Sequence, residues 1–131
     1  MRITDKNSIE ELFAAAQLTA IEFAYIALDK SDFEFTKRTL GEPSLAIDSG
    51  ECEGVDSLLE TVEQDFSGED PSSVKGIILF IMTGRENGMT MGDLQKANSL
   101  FEGIPQTAQF RRALSFGSPE GKHRIVAVLW K

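Results

Sequence analysis

The sequence predicts an α/β fold, a mixed four-stranded sheet packed against helices as an α+β sandwich. Three observations lead to this prediction. Several segments carry apolar residues at helical spacing. The run from Val74 to Thr83 is almost continuously apolar and β-branched, which is typical of a central strand covered on both faces. Capping and stop signals separate these segments, and the 131 residues suit one domain spanning 1–131.

The first predicted element is a long helix from Ser8 to Leu28. It opens with a capping box formed by Ser8 and Glu11. Apolar residues then recur on two faces. The inner face holds Ile9, Leu12, Phe13, Ala16, Ala20, Phe23, Ala24 and Ala27, and the outer face holds Leu18, Ile21, Tyr25 and Leu28. A helix that is apolar on two faces is either covered within its own domain or meets a partner. We therefore predict the outer face as the partner-binding surface.

The remaining elements give the order α-α-β-α-β-α-β-β. They are a short capped helix from Ser31 to Leu40 ended by Gly41, a strand Ser44–Asp48, a helix Val55–Phe66, a strand Val74–Thr83, a helix capped by Thr90, and strands Gln109–Phe116 and Arg124–Trp130. The last two strands flank a Gly-Ser-Pro-Glu-Gly turn and predict a hairpin. The long connection between the first two strands allows a parallel pairing by a right-handed crossover. Gly50 and Gly54, at the first strand-to-helix junction, are predicted to be structural.

Composition limits the class of partner. The formal net charge is -8, which argues against nucleic acid or an anionic membrane as the main partner. The only cysteine, Cys52, excludes a disulfide within the chain and a multi-cysteine metal site. The first eight residues have no signal-peptide pattern, and the run Ile77–Met82 is too short to span a bilayer. We expect a soluble, cytoplasmic protein.

The sequence lacks the motifs of common catalytic sites. It contains no G-x-x-x-x-G-K-[ST] loop and no G-x-G-x-x-G, so we expect no nucleotide, and we predict no other cofactor. We expect no metal site either, because the acidic residues at 53–70 are spread along a helix face instead of converging on one point. The single histidine, His123, lies beside a turn and is predicted to be a solvated surface residue. Cys52 lies between two glutamates, which reduce thiol reactivity. The acidic residues around the helix at 53–70 form either a solvated face or a docking face for a basic partner.

From Ser31 to the C-terminus, the elements and local signatures resemble the C-terminal domain of FtsZ and tubulin-type proteins. That family has an asparagine-x-aspartate-phenylalanine-x-aspartate loop that opens a helix. In the matching stretch, Asp32 and Phe33 agree with the family, whereas Lys30 and Phe35 replace the asparagine and the second aspartate. The family's two glycines four apart are matched by Gly50 and Gly54. Further similar stretches are Lys75–Ile78 leading to Thr83-Gly84, Thr90–Leu94, Phe116-Gly117 and Arg124–Val128.

The resemblance implies a binding role rather than catalysis. In the family, this domain completes GTP hydrolysis in trans, with loop acids touching the nucleotide of the next subunit. Here the loop is degenerate, since Asp32 alone remains of the polar positions, and the sequence has no GTPase domain. We therefore expect a non-catalytic interaction or assembly module. Its partner is a second copy, giving a homo-oligomer, or an FtsZ/tubulin-like filament, with modulation of that filament or of cell division as the suggested role.

Two other function classes stay open. One is an enzyme whose site lies between the subunits of a chorismate-mutase-like trimer, at the level of fold alone. A pocket lined by Arg111, Arg112 or Arg124 at a subunit boundary favours that class. The other is an acidic, chaperone-like regulatory protein that docks a basic partner.

Overall fold

The computed structural model describes residues 1–26, 30–86 and 88–131, with side chains for these except 24–33. The helices are α1 (Lys6–Glu22), α2 (Lys30–Leu40), α3 (Val55–Phe66) and α4 (Met91–Ser99), with a 3₁₀ turn at Pro71–Ser73. The strands are β1 (Arg2–Ile3), β2 (Ala24–Ile26), β3 (Leu45–Asp48), β4 (Gly76–Thr83), β5 (Gln109–Ser115) and β6 (His123–Trp130). The predicted α/β class is confirmed, and β1 and β2 are additions to the four predicted strands.

One mixed sheet joins all the described strands in the order β1-β3-β6-β4-β5-β2. β4 and β5 are parallel, and every other neighbouring pair is antiparallel. β3 and β4 run in the same direction but are separated by β6, so the first two predicted strands do not pair directly. α4 provides the crossover that makes β5 parallel to β4.

The predicted hairpin between the last two strands is wrong, because β4 lies between β5 and β6. β6 is apolar along nearly its whole length, and every residue from Ile125 to Trp130 is buried. Such a strand is most stable at the centre of the sheet, covered on both faces. β5 is exposed or half-buried from Gln109 to Arg112 and becomes buried only at Ala113 and Ser115, which suits a position nearer the edge.

The sheet is covered on both faces, giving three layers. On one face, α1 packs Ile9, Phe13, Ala16 and Ala20 onto a cluster that includes Phe80 of β4 and Trp130 of β6. On the other face, α3 and α4 cover a second cluster. That cluster includes Leu58, Val62 and Phe66 of α3, Ala97 of α4, and Ile77, Leu79, Ile125 and Ala127 of the sheet.

The first helix is shorter than predicted. It begins after Asp5, whose side chain accepts a hydrogen bond from the Ser8 backbone, and it ends at Glu22. The chain then enters β2, which contains Tyr25 and pairs with the outer edge of β5. A helical position for Tyr25 is therefore wrong, and Leu28 lies outside the described residues. Pairing with the edge of the sheet replaces the last turns of the predicted helix. The Phe23 carbonyl accepts a hydrogen bond from the Phe116 amide at 2.9 Å.

The two predicted structural glycines have different backbone conformations. Gly50 has φ +69°, a left-handed conformation that side chains with a Cβ disfavour. Gly54 is the N-cap of α3 with φ -102°, and an added Cβ would meet only Ser57, at 3.8 Å. The structure therefore gives no conformational reason for glycine at Gly54. Gly41 ends α2 with φ +79°, as expected of a helix C-cap.

Candidate interaction surfaces

α1 is seated firmly on the sheet by an aromatic cluster. The Phe13 ring contacts the rings of Phe80 and Trp130 in T-shaped arrangements, with centroid distances of 6.1 and 5.8 Å. The Lys37 ammonium group of α2 lies 5.8 Å from the centre of the Phe13 ring. It also forms an ion pair with Glu10 of α1 at 2.9 Å, which holds it in this position. These contacts fix the rotation of α1 about its axis, and with it the direction of the outer face.

The outer face of α1 carries exposed apolar side chains. Leu18 is 57% exposed and Ile21 is 44% exposed, and Phe23, at the end of the helix, is 46% exposed. We call these three residues the α1 patch. Phe23 was predicted on the inner face, and its exposure corrects that prediction. Of the predicted partner-binding set, the structure thus places Leu18 and Ile21 together on an open surface, Tyr25 in β2, and Leu28 outside the described residues.

The end of α1 that carries the patch is held by the loop between β5 and β6. A Cβ added to Gly117 would lie 2.2 Å from the Thr19 Cγ2 atom, so the loop backbone packs directly against the helix. The Arg85 guanidinium group lies 5.4 Å from the Phe116 ring, and the Glu120 carboxylate accepts the Arg85 backbone amide at 2.8 Å. The α1 patch is therefore presented by a tightly packed part of the fold.

An ion pair between Asp48 and Arg124 lies close to α1 on the same side of the sheet. Arg124 donates two hydrogen bonds to the Asp48 carboxylate, at 2.9 and 2.7 Å, and the Gly50 amide donates a third at 2.9 Å. Burial acts to raise the pKa of Asp48, but these hydrogen bonds outweigh it and the net pKa is lowered. The hydrogen bond to Asp48 raises the pKa of Arg124. Arg124 is thus occupied by a structural role.

A groove of about 470 Å³ lies on the opposite helical layer, between α4 and β5. Its walls combine five consecutive residues of β5 with one side of α4. The lining residues are Ile81, Met91, Leu94, Gln95, Asn98, Phe110, Arg111, Arg112, Ala113 and Leu114. Met91 and Phe110 are 73% and 37% exposed, so the groove opens to solvent.

Polar groups occur at separate points of this groove. The Arg112 guanidinium carbon lies 5.6 Å from the centre of the Phe110 ring, a cation–π contact. The Asn98 Oδ1 atom is buried and has no hydrogen-bond partner among the described residues. The register places Arg112 on the α4 face of β5 with Phe110 and Leu114, whereas Arg111 alternates to the α1 face with Ala113. Of the three predicted arginines, the structure therefore brings Arg112 to this groove and keeps Arg124 away from it.

The degenerate loop of the resemblance lies at the start of α2. Lys30 opens this helix, so Ser31 is inside the helix rather than its cap. The side chains of Lys30, Asp32 and Phe33 lie outside the described set. Phe35 is described and is 49% exposed. The role of these positions remains a prediction.

His123 was predicted to be solvated, and this is wrong. Its side chain is 4% exposed, and its Nδ1 atom lies 2.8 Å from the Thr83 Oγ1 atom. Its strand position pairs with Thr83 on one side and Cys52 on the other. Its burial could have been predicted from its spacing in β6. His123 lies two and four residues before Ile125 and Ala127, so it occupies the same face of the strand as these residues, which pack under α3 and α4.

The acidic residues near α3 divide into two groups. Asp65 pairs with the N-terminal amino group, and Glu69 pairs with Arg2 and Lys131, so these acids hold the chain termini. Asp56, Glu60 and Glu63 are exposed on the outer surface of α3. Within the described ranges, no cluster of three or more His, Cys, Asp or Glu residues could hold a metal ion. Nor does any described helix have the length and apolar character needed to cross a membrane.

The layers and strand order define the class of this protein as a three-layer α/β domain with a mixed sheet. Solved structures of FtsZ share this fold. The chain aligns with an empty FtsZ dimer from M. jannaschii over 95% of its length, with a TM-score of 0.61 and 14% identity. It aligns with a mutant FtsZ from the same organism with a TM-score of 0.64, 13% identity and the same coverage.

The likeness covers only part of the FtsZ chain. It spans 38% of the first structure and 40% of the second, which is consistent with a fragment like the C-terminal domain. The predicted resemblance in fold is therefore confirmed. No protein-family model matches the chain, and no curated protein matches it in sequence.

Proposed function

We propose that this chain is a non-catalytic interaction module that binds a protein partner through the α1 patch. The partner is a second copy or a subunit of an FtsZ/tubulin-type filament. The observation that carries the proposal is the exposure of Leu18 and Ile21 on a helix whose opposite face is fully seated on the sheet. The likeness of fold to FtsZ supports a filament-related role.

The geometry of the patch is better suited to binding a partner than to permanent exposure to solvent. Its side chains project from a helix whose rotation is fixed by Phe13 and whose end is held by Gly117. A patch on a rigid element needs little ordering when a partner binds, so less of the interaction energy is lost. Large apolar side chains that adjoin one another on a soluble domain are typical of interaction sites.

The size of the patch defines what else the interface needs. Fully burying one such side chain contributes about 1.5–3 kcal/mol, and these side chains are already about half buried. The three residues together therefore contribute roughly 3 kcal/mol. Association itself costs at least about 4 kcal/mol, so an interface centred on the patch must include the surface around it.

The test is a double substitution, Leu18→Glu with Ile21→Glu, in the full chain. Sedimentation velocity measures self-association, and co-pelleting with assembled FtsZ measures filament binding. We expect the substitutions to abolish whichever association the wild-type chain shows, because two charges would be buried at the contact. The thermal transition should stay close to that of the wild type, since both positions are exposed.

The matched control adds the same charge elsewhere. Asn7→Asp with Ser99→Glu places two carboxylates at exposed positions outside the patch. This variant should associate like the wild type. A wild-type chain that sediments as a monomer at high concentration and fails to pellet with filaments contradicts the proposal, as does an association that survives the Leu18/Ile21 substitutions.

A second candidate function is an enzyme with a site between subunits. The observation in its favour is the groove that Arg111 and Arg112 line. This function requires an oligomer whose neighbouring subunit closes the groove. A trimer by sedimentation equilibrium that dissociates on substitution of groove residues, and not of the α1 patch, is the result that would favour it.

A further inference from the structure

We propose that the groove between α4 and β5 binds a small amphipathic organic anion, a molecule with an apolar body and one carboxylate or sulfonate group. This site lies on the opposite helical layer from the α1 patch and does not depend on the proposed function. Three features of the groove support it: its size, its apolar lining and the charge at its wall.

The groove has the size and lining of a small-molecule site. Its volume of about 470 Å³ lies within the range of roughly 300–1,000 Å³ that is common for such sites. Its inner wall is formed by Ile81, Leu94 and Leu114, which belong to or pack against the buried core. An apolar body seated there would remove these side chains from water.

The charge at the groove selects an anion. The chain carries a net charge of -8, yet Arg112 is the charged residue whose side chain lies on the groove face of β5, because Arg111 alternates to the other face. Arg112 is exposed and is positioned over the Phe110 ring at the groove, so a carboxylate or sulfonate can reach it without the loss of an ion pair recorded in the structure. A guanidinium group is suited to hold such an anion by paired hydrogen bonds.

Asn98 places a polar side chain at the wall of the groove. Its Oδ1 atom is buried without a partner among the described residues, although buried polar atoms are nearly always hydrogen-bonded. This atom has almost no exposed surface, so a donor on the ligand reaches it only if the Asn98 side chain rotates. The ligand class is therefore defined by its apolar body and its anionic group, and a donor group is not required.

The groove suits a small ligand better than an added β-strand. β2 already pairs with the outer edge of β5 at Leu114 and Ser115, so an incoming strand could use only the segment 109–113. A second copy pairing antiparallel through that segment would bring its own Arg111 and Arg112 close to these arginines, and like charges across strands are unfavourable. An extended acidic peptide would not meet this repulsion, so the experiment includes it as the alternative ligand.

The experiment measures binding of 1-anilinonaphthalene-8-sulfonate to the full chain by fluorescence. Its neutral analogue, N-phenyl-1-naphthylamine, tests the role of charge, and decanoate serves as a competitor. We expect one saturable site for the sulfonate from which decanoate displaces it. Gln95→Trp, which fills the groove from an exposed position on α4, should weaken binding by at least about tenfold, because contact with the apolar wall is lost. Ser99→Trp, on the same helix but outside the groove, should leave it unchanged.

Arg112→Gln tests the anion directly. It should weaken binding of the sulfonate by about fivefold and leave the neutral naphthylamine unaffected, since an exposed charge pair contributes modestly. Circular dichroism melting curves establish that each variant is folded.

Three results would overturn the proposal. One is sulfonate binding that survives Gln95→Trp. Another is binding that is lost in Leu18→Ser with Ile21→Ser, which would assign the probe to the α1 patch. The third is an acidic peptide that perturbs the backbone amides of 109–113 in NMR spectra when neither sulfonate nor decanoate binds. The association test of the α1 patch measures sedimentation and co-pelleting rather than probe binding, so it stands whichever of these results is obtained.

Discussion

The Asp48–Arg124 pair offers a sharp test of how the sheet is held beneath α1. Asp48→Asn keeps the size of the side chain and removes its charge. One of the two hydrogen bonds from Arg124 is then lost, because the asparagine NH₂ group, itself a donor, replaces one of the carboxylate oxygens that accepted from Arg124. Arg124 remains partly buried, with 31% of its side chain exposed, and has lost its ionic partner.

The expected cost follows from this burial. Removing one partner of a fully buried pair costs about 3–5 kcal/mol. Since water reaches part of Arg124, we expect about 2 kcal/mol for Asp48→Asn. With a urea dependence of roughly 2 kcal/mol per molar, the unfolding midpoint should fall by about 1 M. Trp130 is the only tryptophan and is buried, so its fluorescence reports the transition.

The pH dependence provides an independent check. The pKa of Asp48 in the folded protein is lowered below its ordinary value of 3.8. A lowered folded-state pKa contributes stability that is present above pH 3.8 and is lost as the pH falls through the folded value. Asp48→Asn lacks this titration. The difference in free energy of unfolding between wild type and variant should therefore shrink when the pH is lowered from 7 to 3.

The control is Glu60→Gln, which neutralises an exposed carboxylate on α3. It should change the free energy of unfolding at pH 7 by no more than about 0.5 kcal/mol. If Asp48→Asn were as stable as this control at pH 7, or if its difference from the wild type were the same at both pH values, the reasoning from the ion pair would be refuted.

Three further predictions concern glycines. Gly50→Ala should lower the free energy of unfolding by about 1 kcal/mol because its φ is +69°, whereas Gly54→Ser should raise it by roughly 0.5–1 kcal/mol by supplying a helix cap at an unstrained position. Urea titrations measure both, and a stabilised Gly50→Ala would contradict the first. Gly117→Ala should cost about 1–3 kcal/mol by overpacking against Thr19, and Thr19→Ser should recover most of that loss by removing the contacted methyl group. Equal losses with and without Thr19→Ser would contradict that account.

Much of the fold could be predicted because local signals agreed with tertiary packing. α3 matches its predicted bounds, Val55–Phe66, since its apolar spacing and flanking glycines all indicate the same helix. Thr90 caps α4 as predicted, in a capping box with Asp93. β1 and β2 were missed because two- and three-residue strands carry no periodicity. Their pairing depends on strands that are distant in sequence.

The candidate sites were less accessible from sequence. Leu18 and Ile21 could be predicted because an exposed apolar stripe on a helix leaves a helical pattern. The extension of that stripe to Tyr25 failed because the edge of β5 competes with the helix for this segment. The groove joins α4 to β5, and its form depends on the position of β5 outside β4. The alternation of Arg111 and Arg112 between the two faces of β5 follows from their adjacency in a strand, but the sequence gives no indication that α4 covers the face that carries Arg112.

The α1 patch and the groove lie on opposite helical layers, so the fold separates them physically. α1 packs on the face of the sheet formed by Phe80, Val126 and Trp130, whereas α4 packs on the face formed by Ile77, Leu79 and Ala127. β5 connects the two sites, because Phe116, directly after its last residue, meets Phe23 and its middle lines the groove. β4 provides a second connection, since Phe80 contacts Phe13 of α1 and Ile81 lines the groove. Coupling between partner binding and ligand binding can therefore pass along β5 or through β4. Saturating the groove with decanoate should leave association through the α1 patch unchanged unless β5 itself shifts, and amide shifts at Ser115 and Phe116 would detect such a movement.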